Sequence, residues 1–489
     1  MLLRNTLYNF LGLGLPLLVA IATIPVLIES LGLDRFGILT LIWALISYFG
    51  LFDLGLGRAL TQQLAKAWGQ NEQGKADRLI PTGLGVMAGL GIVAGAVLML
   101  GAEWFVYQFD SVTHPREMVN AVYAIAAAMP FVILTSGLRG ILEARHAFGA
   151  VNAIRLPLGI YTFLAPVGMV YYWENDLGLI AASLAAGRIL ACLAYFWFCR
   201  RMFSSVKSWF RMDRSLLKGL LHTGGWMTVS NVINPLMGYL DRFVIGLTVS
   251  LTAVSYYVTP YEIITRLWII PGALTAVLFP RFSQEKSLEQ GNTVTLFRQS
   301  VLAIFLLVYP ISLAIAMFSQ ELLTLWLDVD FAQKSYRLLQ VFAFGILLNC
   351  IAHIPFTYLQ GVGKAGTTAR IHVLEFPVYT LILWQAAQAM GLMGAVLAWL
   401  LRMLADTLLM FFFALATMKY SAKQVLDWKQ VLVTAFSIAP FAAVFLQLAS
   451  DRLVILSISI VTTYLLFWSL IFSQEDRDSV LKRVGCATG

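Results

Sequence analysis

Charge is what this sequence has least of. Only 12% of its 489 residues are Asp, Glu, Lys or Arg, about half the share found in soluble domains. Hydrophobic residues make up 59% and the mean hydropathy is +0.79, which excludes a soluble globular enzyme. Cysteine is nearly as scarce: Cys192, Cys199 and Cys350 fall inside apolar runs and Cys486 near the C-terminus, so no extracellular disulfide framework can form. The five histidines are dispersed, with no HExxH and no CxxC, which argues against a zinc centre or a c-type haem. No Walker motif is present, so the chain does not itself hydrolyse ATP. The net charge of +8 comes from basic residues scattered between apolar runs, and no single patch could track a phosphate backbone, which excludes nucleic acid as a partner.

What the chain does have is length in its apolar runs. Fourteen stretches are long enough to cross a hydrocarbon core of roughly 30 Å: 8–28, 36–56, 79–100, 119–138, 156–173, 177–198 and 226–249, then 253–278, 301–318, 338–359, 373–390, 392–416, 431–449 and 453–472. The fold class is therefore all-α and polytopic. With the N-terminus placed in the cytoplasm, 25 of the 34 Lys and Arg fall in inner segments. Five lie outside, namely Arg35, Arg116, Lys334, Arg337 and Arg452, and four lie within spans. Basic residues accumulate on the side from which they need not be translocated, so both termini are expected to be cytoplasmic. Arg4 and Ala20-Ile21-Ala22 mimic a cleavable leader, but the apolar run continues through residues 24–28 and argues against cleavage.

The chain also resembles itself. Residues 31–37 align with 249–255 at an offset of 218, Gln73-Gly74 with Gln290-Gly291 at 217, and Arg188 with Arg402 at 214. A shared offset and a common span–loop rhythm indicate duplication of a six-helix unit. Six is even, so the copies share one orientation and are related by an axis along the membrane normal. The expected organisation is a first bundle over 1–199, a cytoplasmic amphipathic linker over 200–218, a second bundle over 219–418, and two additional spans with a tail over 419–489. The linker interleaves Phe203, Trp209, Phe210 and Leu216 with six basic residues, the pattern of an interfacial segment.

The segments NFLGLGLPLLVAIATIPVLIESLGLDRFGILTL and FDLGLGRALTQQLAK, with DRFVIGLTVSLTAVSYYVTPYEIITRLWIIPGALTAVLFPRFSQ in the second half, resemble the polysaccharide-export branch of the multidrug/oligosaccharidyl-lipid/polysaccharide (MOP) exporter superfamily. The resemblance covers essentially the whole chain. It implies two six-helix bundles around a central cavity, with two further helices, in a bacterial inner membrane. Members of this branch, the Wzx-type flippases, move undecaprenyl-pyrophosphate-linked oligosaccharides between leaflets. The implied partners are that lipid-linked oligosaccharide, the bilayer itself and other polysaccharide export proteins; the chain is expected to act as a monomer, without a cofactor, H+ or Na+ coupling remaining open. The alternative within the superfamily is a cation-coupled drug or metabolite antiporter, whose acids would be essential and whose arginines dispensable. A polytopic glycan polymerase or glycosyltransferase would need more than the short outer loops 101–117 and 319–337.

Charges at membrane depth cost roughly 2.5–3.5 kcal/mol each on insertion scales and so mark partners, wet cavities or function. The basic ones are Arg188, Arg242, Arg266 and Arg402, expected to bind substrate, since a guanidinium offers planar bidentate donors to a pyrophosphate that has shed its water. The acidic ones are Glu262, Asp406, Asp53, Asp241 and Glu375, expected to couple or gate. Glu262/Arg266 and Arg402/Asp406 are spaced i,i+4, so each acid shares a helix face with its base. Arg188 is too deep to snorkel and has no acid within one turn; with Arg402 it should line the cavity from opposite walls. Tyr257, Tyr261 and Trp268 form a separate stripe suited to packing or to sugar faces. His353 and His372 lie on or beside spans, where they could titrate. Cys192 and Cys199 share a face but make no metal site.

The charge partition carries a direct expectation. A cysteine introduced at Ser205, in the linker, remains unlabelled by a membrane-impermeant maleimide in intact cells and reacts once the membrane is opened; strong labelling of intact cells would invert the map.

Overall fold

The computed structural model describes residues 2–49, 56–109, 112–145, 147–173, 175–203, 206, 209, 212–213, 215–217, 236–283, 290–418, 428–446 and 451–471. Among these residues the regular structure is helical throughout. This is what hydrocarbon requires, because a helix satisfies its backbone polar groups within one segment. The helices are α1 (Leu2–Phe49), α2 (Leu56–Gly69), α3 (Gln73–Val106), α4 (Pro115–Ala144), α5 (Phe148–Tyr172), α6 (Leu177–Met202) and α7 (236–248). There follow α8 (Leu251–Ile264), α9 (Ile269–Ser283), α10 (Gln290–Met317), α11 (Ser319–Trp326), α12 (Val329–Gly361), α13 (Ala365–Met418), α14 (Trp428–Phe445) and α15 (Arg452–Leu466). A 3₁₀ turn, Thr265–Trp268, joins α8 to α9. Eight of the described helices are long and apolar enough to cross a membrane. The chain divides into two compact units, Met1–Ser255 and Tyr256–Gly489.

The helix ends follow local chemistry. Asp176 caps α6 by accepting from the Leu179 amide at 3.0 Å, and Asp328 caps α12 through the Phe331 amide at 2.8 Å, each satisfying one of the orphan donors of a helix start. Pro115 opens α4, where its missing N–H costs nothing. Two helices are too long to be single spans. α1 breaks at Gly32 (φ 74°, ψ 164°) and α13 at Gly391 (φ 59°, ψ −137°), backbone conformations that a residue with a Cβ adopts only under strain. Both breaks fall between apolar stretches read from the sequence, 8–28 and 36–56 in one case and 373–390 and 392–416 in the other.

Inside the first unit, α3 and α4 approach closely along a small-residue face, the device that lets membrane helices associate without a hydrophobic drive. A Cβ added at Gly91 would lie 2.5 Å from the Pro130 Cα, and one at Gly95 would lie 2.6 Å from the Ala126 carbonyl oxygen. Near the expected outer end, Arg35 reaches Glu117 at 2.7 Å, Glu117 also accepts from the Leu177 amide, and Asn175 donates to the Ser30 carbonyl at 3.1 Å. These contacts tie α1, α4 and the start of α6 together. On the linker side, Asp213 takes hydrogen bonds from Ser215, which hold its carboxyl below the ordinary carboxylate range, with Arg78 at 3.1 Å adding to the effect.

The two turns aligned by the repeat meet in this unit. Thr252 donates to Asp34, its counterpart at offset 218. Ser255 Oγ donates to the Leu33 carbonyl at 2.7 Å, and Gly37 abuts the Leu251 carbonyl oxygen. Since 33 corresponds to 251 and 37 to 255, these last two contacts are one contact made in both directions, the signature of a local two-fold relation.

Replacing Gly391 by Ala is expected to cost about 1–3 kcal/mol and to lower the thermal unfolding midpoint of the purified protein. Gly89→Ala, in the middle of α3 with open space beside it, is the matched control and leaves the midpoint unchanged or raises it. Equal midpoints for the two variants would deny the backbone strain.

Candidate functional site

In the first unit, α1, α4, α5 and α6 enclose a cavity of about 210 Å³ lined by Ile46, Ser47, Val132, Thr135, Ser136, Arg139, Leu158, Arg188 and Ala191. Two guanidinium groups and three hydroxyls thus converge at one place within helices of mostly apolar sequence. Ala191, one turn after Arg188, keeps this face of α6 low, and Gly187 makes room for the Tyr161 ring, from which an added Cβ would lie 2.5 Å. Arg188 is half-buried, and its Nη2 reaches the Thr162 hydroxyl at 3.4 Å. Among the described residues no carboxylate lies within ion-pair distance of Arg188. Arg139 differs, with Glu143 one turn away at 3.6 Å. The cavity is therefore cationic and carries hydroxyls able to donate or accept, a combination suited to an anion that must exchange its hydration for fixed donors.

In the second unit the reversal at Gly391 brings the two limbs of α13 side by side. His372, Glu375 and Tyr379 come from the first limb, and Arg402 and Asp406 from the second. The His372 Nε2 lies 3.5 Å from Asp406 Oδ1, and the nitrogen and oxygen atoms of His372, Glu375 and Asp406 gather within 4.8 Å of one another. The Arg402 guanidinium sits over the Tyr379 ring at 5.1 Å and within electrostatic range of Glu375. His372 and Asp406 are 5% and 8% exposed, so this is an interior charge cluster. Its imidazole and guanidinium suit it poorly to an alkali cation, which prefers oxygen ligands alone.

The remaining sequence-selected residues fall elsewhere. Glu262 and Arg266 form the expected i,i+4 ion pair at 3.0 Å, both partly exposed. Asp241 and Arg242 are buried in α7, where Asp241 Oδ1 accepts from the Arg242 amide at 2.9 Å and the guanidinium lies 5.0 Å from the centre of the Tyr239 ring; neither lines the Arg188 cavity. Asp53 lies outside the described residues. Tyr257 and Tyr261 are buried against Phe342, and Tyr261 also against Trp399, so they pack the second unit. Trp268 instead donates its Nε1 to Asn349 at 2.8 Å. Cys192 and Cys199 are buried thiols of the interior of the first unit.

Sequence reading missed Arg139, Ser47, Thr135 and Ser136 as neighbours of Arg188, and His372 and Tyr379 as neighbours of Asp406 and Arg402. Arg139 counted as an inner-loop residue because it follows the apolar stretch 119–138 directly. Its position one turn beyond Thr135 and next but two to Ser136 was the available signal, since a polar face on an otherwise apolar helix end points inward.

The comparisons with known proteins agree with this architecture. Residues 2–286 match the model of the polysaccharide biosynthesis protein family. The chain is 29% identical over 412 residues to a putative O-antigen transporter of Shigella flexneri, covering 84% of this chain and 96% of that protein. It is 23% identical over 407 residues to the probable low-salt glycan biosynthesis flippase Agl15 of Haloferax volcanii, covering 82% and 80%. Its fold is similar to that of a multidrug resistance MATE family transporter of the MOP superfamily in an inward-facing conformation, with a TM-score of 0.70 at 12% identity over 85% of this chain and 94% of the other. A MOP superfamily transporter from Pyrococcus furiosus gives a TM-score of 0.62 at 14% identity, over 85% and 95%. The family model spans more than half of the sequence, and the chain belongs to the polysaccharide biosynthesis protein family.

Proposed function

We propose that this chain is a polysaccharide flippase that passes a lipid-linked oligosaccharide across the bacterial inner membrane by alternating access, with both termini in the cytoplasm. The lipid carrier is undecaprenyl pyrophosphate, and other export proteins receive the flipped glycan. The observation that carries this reading is the cavity around Arg188, where a guanidinium with no carboxylate among the described residues within ion-pair distance is held at membrane depth beside Arg139 and three hydroxyls.

An uncompensated cation in hydrocarbon is costly and is tolerated where it meets water or an anion. A pyrophosphate headgroup supplies the anion, and the hydroxyls of Ser47, Thr135 and Ser136 supply further hydrogen bonds in place of water. No bond is made or broken. The relatives' names point the same way, since one is a putative O-antigen transporter and the other a probable glycan flippase. The chain is a transporter rather than an enzyme, and the short outer loops that argued against a polymerase agree with that.

Arg188→Ala should lower glycan export roughly 10- to 100-fold, the effect of losing one charge-assisted hydrogen bond of about 1.5–3 kcal/mol, with unchanged protein in the membrane. Arg188→Lys keeps the charge but not the planar fork and should fall between. The measurement is surface glycan in a host whose own flippase is deleted, alongside immunoblotting of the membrane fraction. Wild-type export by the Ala variant would remove Arg188 from the path.

A further inference from the structure

We infer that His372, Glu375 and Asp406 form a buried site in the second unit that holds a single proton in exchange with solvent. The cluster is not explained by pairing alone. Both carboxylate oxygens of Glu375 and the Oδ1 of Asp406 are shut off from solvent with no hydrogen-bond partner, although Asp406 is more than nine-tenths buried. The 3.5 Å approach of His372 to Asp406 is too long for a good hydrogen bond. Two carboxylates lacking donors, packed within 4.8 Å of each other and of an imidazole, are what remains when a shared hydrogen is left out of account.

Charge balance fixes the number. Glu375 and Asp406 carry two negative charges when ionised, and Arg402 supplies one positive charge from the same helix. Tyr379 and the imidazole of His372 are neutral in ordinary form. One negative charge is left over, and at membrane depth such a charge costs roughly 2.5–3.5 kcal/mol. A single proton cancels it and converts one carboxylate into a donor for the other or for His372. When two carboxyl groups share one site they titrate as a pair. A metal ion is the poorer occupant, because Arg402 repels it.

The surrounding elements add further polar groups beside the cluster. α12 packs against α13 and presents His353, which lies within electrostatic range of Asp406. Its Nδ1 is 2.9 Å from the Asn349 carbonyl oxygen. The Asn349 side chain accepts from Trp268 Nε1, and Trp268 is 37% exposed two residues from Arg266 of the partly exposed Glu262–Arg266 pair. Phe356 of α12 stacks on His372 with ring centres 6.1 Å apart and closes the other side.

What the proton is for rests on the transporter reading: bound and released once per cycle, it would couple export to the proton gradient. Whether the site holds a proton does not depend on that reading, so the two fail separately. The test counts protons taken up by the purified full-length protein in lipid nanodiscs as weakly buffered solution is brought from alkaline to mildly acidic pH. A carboxyl-stretch infrared difference spectrum is recorded in parallel. Reading each variant against the wild type cancels surface groups.

Asp406→Asn and Glu375→Gln should each take up about one proton fewer than the wild type, because the remaining carboxylate is then balanced by Arg402. Each should also lose the protonated-carboxyl band. Arg402→Gln should take up about one proton more. If one of the acid variants does not fold, the other carries the test. Proton uptake equal to wild type in both acid variants overturns the inference. So does suppression of the wild-type uptake when sodium replaces choline at constant ionic strength, which would make this a cation site. Coupling is checked by glycan export in cells: a pH dependence flattened in Glu375→Gln supports it, and one identical to wild type removes the coupling role.

Discussion

Hydrocarbon solvates neither charge nor an unpaired backbone group, and the arrangement of this chain follows from that one deficiency. Several of the intramembrane charges in the described residues have been given something that water would otherwise supply. Glu262 has Arg266 at 3.0 Å, Asp241 has the amide of its own neighbour and Arg242 has an aromatic face. Arg188 opens onto a polar cavity, and Arg402 has a tyrosine ring and an adjacent carboxylate. Where the match is complete the charge is structural. Where it is incomplete, at Arg188 and around Asp406, the deficit can be filled only by something that arrives from outside, and those are the two places where function is to be sought.

The same deficiency governs the backbone. A helix that must turn back within or near the bilayer has little room for a loop, because exposed loop amides would go unpaired. Gly32 and Gly391 solve this with single residues at positive φ. The reversal at Gly391 is also what assembles the acidic cluster, because it places His372 and Glu375 against Asp406, more than thirty positions further along the chain. A feature that reads as a helix terminator is in this way a determinant of the site.

Much of the fold was legible from composition alone, because apolar runs and charge placement are local properties. The break after Met390 and the Glu262–Arg266 pair were read from spacing, and the contact between residues 31–37 and 249–255 joins the two segments that the expected duplication aligns. The sites were less legible. A helical spacing of i,i+4 pairs Arg402 with Asp406 on one face but is silent about His372 and Tyr379, which arrive from the antiparallel limb. Likewise the neighbours of Arg188 come from α1, α4 and α5, and each is an ordinary Ser, Thr or end-of-helix Arg on its own strand of sequence. Contacts between helices depend on rotation about each axis, and a single apolar sequence with little periodic contrast does not encode that rotation strongly.

If the repeat read from the sequence is a duplication, the two arginines it matches illustrate how duplication allows roles to separate. Arg188 and Arg402, matched at an offset of 214 in the sequence, have different surroundings: one faces hydroxyls and the other faces acids. These surroundings are chemically exclusive. A site for an anion must keep its positive charge unneutralised until the anion arrives, so a carboxylate beside it would compete with the ligand at far higher effective concentration. A site for a proton needs the reverse, an excess of one negative charge small enough for a single proton to cancel. One cluster cannot satisfy both conditions in the same state. Two copies of one helix can, if acids are excluded around the first arginine and gathered around the second. On the proposed reading, the acids at positions 375 and 406 lower the local charge from positive to slightly negative, which would take Arg402 out of competition for the headgroup and leave Arg188 as the fixed cation for it.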